Sequence, residues 1–366
     1  MTTSQTPTRR DDAATGPTTP ASGIRGLFNR LPGFGSPTRR FTHIWAIALL
    51  AANTALVVTG GAVRLTDSGL GCPTWPRCTD DSFTPVQAMG IHGVIEFGNR
   101  MLTWVLTVIA IATWLAVWRR VQSTRGDRRL ATVLALGVPF QGVIGGITVL
   151  TDLNPWVVAL HFLLSMALVS GGTLLVYRTR AVSAAQPVRV EWADRVGRLL
   201  AWALYLVCWA TIYLGTVVTG SGPHSGDHGA KRNGLDPRMV TQLHADAVFI
   251  LVGLALALLV FVLALRLPQR RTTIVFAGLL TLQGIVGGVQ YATELPVALV
   301  ITHMLASALL MIGATWLVID FAPASRNDTS EDGDTSEDGD SADDDDTTDD
   351  DTAEAGEPVS VTQPAQ

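Results

Sequence analysis

Charge is what this chain has least of. Asp, Glu, Lys and Arg make up 16% of its 366 residues, against roughly 25% in soluble domains. That scarcity excludes an ordinary water-soluble enzyme, and no nucleic-acid partner is expected. Cysteine is scarce too, with three in all, too few for a four-thiolate zinc site. The first 40 residues are rich in Thr, Pro and Ser and lack an apolar stretch of signal-peptide type, so the first long apolar run reads as uncleaved. What is abundant is apolar: 48% of residues are hydrophobic and the mean hydropathy is +0.33.

Several apolar runs reach the ~20 residues needed to cross hydrocarbon. We read eight helices, near 43–63, 87–118, 130–150, 156–177, 199–219, 241–266, 272–292 and 297–319. The chain is expected to be an all-α membrane protein, embedded in the lipid bilayer of the cell membrane. The net charge of −5 hides two opposite parts. Residues 326–366 hold 16 acids against Arg326, which leaves 25 Lys and Arg against 15 acids elsewhere. Basic residues cluster after helices 2, 4 and 6 (Arg119, Arg120, Arg178, Arg180, Arg270, Arg271) and before helix 1. The positive-inside rule then puts both termini in the cytoplasm. The tail repeats DTSEDG and runs into DDDD, a composition expected to stay unfolded.

An internal repeat follows. QGVIGGITVLTDLNPWVVALH at 141–161 answers QGIVGGVQYATELPVALVITH at 283–303, with Gln and His both offset by 142. The expected architecture is two parallel-repeat four-helix bundles. Their divisions are a disordered segment 1–42, a first half 43–177, a linker 178–198, a second half 199–320 and a disordered tail 321–366. Each half carries a histidine on its second helix (His92, His244) and one on its fourth (His161, His303). One histidine in an apolar helix is most often a hydrogen-bonded core residue. Four in a two-plus-two layout, beside Gly142, Gly145, Gly146, Gly284, Gly287 and Gly288, suit a flat metal macrocycle. Imidazole is a standard axial ligand of heme iron, and bundle cofactors sit between facing helices.

Depth along the helices conflicts with part of this. Counted from the ends expected to be cytoplasmic, His161 and His303 lie 17 residues up, from Arg178 and Asp320; His244 lies 22 up, from Arg266. His92 lies 27 from Arg119, whereas Asn99 lies 20 from it. Helix 2 opens GIHGVIEFGNR, so ionisable groups stand at the head of an apolar span. Such groups are costly and usually functional. Glu96 is either a site carboxylate or the i, i+4 partner of Arg100.

Between helices 1 and 2 runs RLTDSGLGCPTWPRC. Cys72 and Cys78, on the side expected to face out, read as a disulfide, since such bonds persist in oxidising compartments. Two free thiols or a metal pair remain the alternatives. The corresponding second-half loop offers His224 and His228, read as loop polar groups or a lid contacting a carboxylate. Cys208, inside helix 5, reads as a small packing residue.

Taken together, GGAVRLTDSGLGCPTWPRC, EFGNR, the two QG-rich third helices and the paired histidines resemble the heme A synthase family over roughly 43–319. The resemblance implies a membrane heme-dependent oxidoreductase that converts heme O to heme A for cytochrome oxidase assembly. It implies heme b in the C-terminal half, with His244 and His303 as axial ligands, and the substrate heme in the N-terminal half, with His161. It implies an essential carboxylate on helix 2, which falls on Glu96. Arg64 and Arg100 are read as cofactor-binding. Expected partners are heme O, a heme O synthase and an electron-transfer protein. One departure is plain: the family places His three residues after that Glu, where this chain has Asn99. Either His92, two turns earlier, takes the ligand role, or His161 serves alone with Asn99 as a hydrogen-bond donor; the early placement of His244 favours the first. Two other classes fit the same residues: a di-heme electron carrier without substrate chemistry, and a transporter built from repeats.

Overall fold

The computed structural model describes residues 33–180 and 191–322. Among them are eight helices long and apolar enough to cross a membrane. They are α1 (Arg39–Leu65), α2 (Gly90–Arg119), α3 (Arg125–Leu150), α4 (Pro155–Thr179), α5 (Glu191–Ser221), α6 (Pro237–Ala264), α7 (Arg270–Ala292) and α8 (Val297–Asp320). A single 3₁₀ turn, Gln87–Met89, precedes α2. The chain is a multi-pass membrane protein. Of the expected segments 1–42, 178–198 and 321–366, residues 1–32, 181–190 and 323–366 lie outside the described residues, while 39–42 and 191–198 are helical.

Most helices start earlier than hydropathy suggests, because their first turns are polar. Thr38 accepts from the Phe41 amide at the start of α1. Thr124 and Asp127 form a reciprocal capping box on α3, satisfying two amides that have no partner within the helix. Asn154 and Asp236 cap α4 and α6, each followed by a proline at the first helical position, where its missing N–H costs nothing. Helix α2 is the exception: its first turn comes three residues later than expected, after the 3₁₀ turn.

Helices α1 to α4 pack as a closed ring in which each touches its chain neighbour and α1 touches α4; α5 to α8 do the same, with α5 touching α8. Within each ring the second and fourth helices make no direct contact and stand across a diagonal. The rings join where α8 meets α1 and α4, and where α4 meets α5. One apolar core is built from Leu49, Leu106, Val138 and Leu175. The other is built from Leu204, Leu258, Phe276, Met311 and Leu317, with Val57 and Met166 reaching in from the first ring. At the seam, Ser170 bonds the hydroxyls of Tyr205 and Thr315, each at 2.9 Å. The outward surface is apolar: Val260, Leu136 and Phe140 are all more than half exposed. In water such a surface would aggregate; against lipid tails it is the expected exterior.

Candidate functional site

The loop from Thr66 to Met89 is held by side chains of α2. Cys72 and Cys78 form a disulfide, with Cα atoms 4.4 Å apart. Glu96, 6% exposed, accepts the Cys72 amide proton at Oε2 (2.6 Å) and takes Arg100 Nη2 at Oε1 (2.5 Å). Arg100 goes on to donate to the carbonyls of Cys72, Thr74 and Arg77 at 3.0–3.1 Å. A buried carboxylate needs such partners. Here the i, i+4 pair also clamps the disulfide loop onto the bundle. The loop then lays Trp75 against Gly146 of α3, so closely that a Cβ at 146 would collide with the indole.

Inside lies a continuous cavity of about 1680 Å³, lined from both rings and including Glu96, Asn99, His161, His244 and His303. Four of its polar side chains share one support. Each rests on a glycine of the preceding helix, where a Cβ would stand 4.0 Å from Asn99 Nδ2 (Gly60), 3.3 Å from His161 Cε1 (Gly145), 3.3 Å from His244 Cε1 (Gly215) and 3.1 Å from His303 Cε1 (Gly287). The fourth helices are stapled alike. Gln141 Nε2 donates to the His161 carbonyl and to Ser165, at 3.1 and 2.7 Å; Gln283 does the same to His303 and Ser307, at 3.0 and 2.9 Å.

These imidazoles suit metal ligation. His244 Nδ1 is 3.0 Å from the Thr211 carbonyl. A carbonyl can only accept, so Nδ1 carries the proton and Nε2 keeps its lone pair, as a ligand nitrogen must. His161 and His303 each have a buried Nδ1 with no hydrogen-bond partner in the protein, an arrangement that calls for an explanation. A metal ion taken at either Nδ1 would supply the missing partner there.

His92, expected to face the macrocycle, stands elsewhere. It is the third residue of α2, exposed, with Nδ1 3.0 Å from Ser68 Oγ. It lines a separate small pocket with Asp67, Met89, Asp227 and His228. The seven positions from His92 to Asn99 carry the chain two turns along α2, and it is Asn99 that reaches the cavity. Among the described residues no group of three or more His, Cys, Asp or Glu side chains is placed to hold a metal ion.

Arg64 lines the cavity, but its guanidinium donates to the carbonyls of His224 (2.7 Å) and Thr219 (3.1 Å), tying α1 to the second ring. The Gly69 amide bonds the Gly226 carbonyl beside it at 2.9 Å. His224 Nε2 lies 3.1 Å from the Leu295 carbonyl. Cys208 is buried among apolar neighbours. Sequence reasoning missed the glutamine staples, whose signal was the constant offset of 142. It also missed the bond from Thr59 Oγ1 to Asn99 Oδ1 at 2.8 Å, for which nothing local gave a signal.

Fold and site define a helical membrane protein with a histidine-lined cavity inside the bundle. Residues 43–224 match the family model COX15-CtaA, described as cytochrome oxidase assembly protein. The chain is similar to heme A synthase of Listeria welshimeri, 25% identical over 181 residues, 49% of this chain and 59% of that protein. It is similar to heme A synthase of Halalkalibacterium halodurans, 27% identical over 165 residues, 44% and 54% of the two chains. A longer match, 24% identical over 310 residues, covers 73% of this chain and 93% of heme A synthase of Shewanella oneidensis. The first two matches thus span little more than half of the relatives' length. The chain belongs to the COX15-CtaA family.

Proposed function

We propose that the protein is a heme A synthase, oxidising a porphyrin methyl group of heme O to the formyl group of heme A. The observation that carries this is the cavity shared by both rings, with His161 across one diagonal and His244 and His303 across the other. We read the two rings as parallel repeats and, from the basic helix ends, both termini as cytoplasmic. His244 and His303 hold heme b in the second ring; the substrate heme O enters the first ring at His161. The resident heme supplies one-electron transfer when bound.

The chain's own residues do the rest. Thr211 keeps His244 in the tautomer that ligates. Gln141 and Gln283 fix the backbone of the fourth helices, so the His161 and His303 rings cannot drift along the helix axis. Glu96 is assigned the acid–base role: Oε2 has one lone pair on Cys72 and one to spare, and takes up or returns a proton as the methyl group is oxidised. Arg100 orients that carboxylate and carries the loop, so its role is positioning. Trp75 and the disulfide loop close the cavity wall and keep water from the reacting edge. Heme O, a heme O synthase that delivers it and an electron-transfer protein are the expected partners.

The test is co-expression with a heme O-producing enzyme, followed by heme extraction and mass analysis. Heme A in the extract is the expected result. Heme O recovered unchanged, beside a protein with a normal heme spectrum, would leave a di-heme electron carrier as the reading.

A further inference from the structure

The cavity is not symmetric in its ligands. In the second ring the diagonal between α6 and α8 carries two imidazoles, His244 and His303. In the first ring the diagonal between α2 and α4 carries His161 and Asn99. Asn99 and His244 stand on matching supports, Gly60 and Gly215. Thr59 Oγ1 donates to Asn99 Oδ1 at 2.8 Å, which commits the amide oxygen and leaves the NH₂ group with its two donors. That NH₂ group is the end nearest Gly60, on the cavity wall. The other candidate ring, His92, is held by Ser68 outside the cavity. His224 lines the cavity from the 222–236 loop, with Nε2 beside the Leu295 carbonyl.

We infer that the first ring is a one-imidazole heme site, in which His161 is the ring ligand and the Asn99 amide is a hydrogen-bond donor for a small neutral molecule on the opposite face. This rests on the heme-binding reading above and goes beyond it. It assigns the first-ring site an open coordination position and names the chemical class of its occupant, a neutral diatomic gas. The physical reason is the weakness of a carboxamide as a ligand to heme iron, set against its strength as a donor. Polarity and donors on the distal side decide whether a heme binds a gas or only passes electrons.

Carbon monoxide is the probe. The full-length protein is purified in detergent, titrated with heme b, reduced, and exposed to the gas. Two populations are expected: a low-spin heme blind to carbon monoxide, and a second heme that binds it. His161→Ala should lose the second and keep the first. Asn99→His should replace the gas-binding heme by a second low-spin signal, with loss of the carbon monoxide difference spectrum. Asn99→Val should still bind the gas, with the C–O stretch shifted because its hydrogen bond is gone. The low-spin signal of the second ring reports in every variant that the protein has folded. Two low-spin hemes and no gas binding in the unmodified protein would overturn the inference while leaving the heme-binding reading intact. An unchanged C–O stretch in Asn99→Val would overturn the donor role. Failure to bind any heme would remove both.

Discussion

The two rings of this bundle hold their inward side chains in the same way and differ in what they hold. Asn99 and His244 each lean on a glycine of the preceding helix; His161 and His303 are each backed by a glutamine that bonds the histidine carbonyl and a serine one turn on. Yet the first ring has Asn99 where the second has His244. The first ring also has a covalently closed loop clamped by Glu96 and Arg100, while the second has an open loop bonded across to Arg64. Under the proposed function this contrast is a division of labour, in which the second ring keeps its group and the first admits and changes one.

The largest expected effect tests that division directly. His244→Ala or His303→Ala should remove most of the low-spin heme spectrum, read in the purified protein. His161→Ala should leave that spectrum and abolish heme A output. The reverse pattern would exchange the roles of the two rings.

Next comes the carboxylate. Glu96→Gln keeps size but loses the charge that Arg100 answers. If Glu96 does acid–base work, heme A output should fall about 10²–10⁴-fold, with heme O or a partly oxidised form accumulating and the second-ring spectrum unchanged. Near-normal output at matched expression would return Glu96 to the clamp alone.

The loop contrast can be sharpened by opening the first loop. Replacing both Cys72 and Cys78 with Ser should destabilise the protein by about 2 kcal/mol, since a short closed loop constrains the unfolded chain modestly. The change should appear as a lower thermal midpoint in detergent and, through Trp75, as reduced turnover. An unchanged midpoint and turnover would mean the Glu96–Arg100 clamp suffices.

The smallest effect is at the seam. Ser170→Ala removes hydrogen bonds between α4 and its partners in the second ring. Interhelical bonds of this kind in membranes average about 0.6 kcal/mol, so the thermal midpoint should barely move and both heme signals should persist. A large loss of the low-spin signal would show that the seam positions the second-ring site.

Much of this was legible in the sequence. Span length and apolarity require little besides hydropathy, because lipid demands a continuous apolar helix whatever its neighbours; the eight helices followed from that. The constant offset of 142 pointed to Gln141, His161, Gln283 and His303 as matching positions. Helix ends were less legible, because the caps Thr38, Thr124 and Asp236 are polar and read as loop. The position of His92 was misjudged for a related reason. The analogy with the early placement of His244 points to His92, whereas depth points to Asn99, which at 20 residues from Arg119 matches the other histidines better.

By itself, then, the sequence determined that the chain crosses the membrane, how often, and which residue types lie within it, since each depends on local composition along one helix. What only the tertiary structure decided is which of those residues meet. His92 and Asn99, seven positions apart, share nearly one face of α2, so two turns of rise and the loop laid over the head of the helix separate them. The loop geometry that holds His92 on Ser68, the glycine beneath Asn99 and the Thr59 hydroxyl that turns its amide all come from other segments. Glu96 shows the same limit. Its pairing with Arg100 was readable from i, i+4 spacing, but its hold on the Cys72 amide joins residues 24 positions apart and exists only once the loop has folded back onto α2.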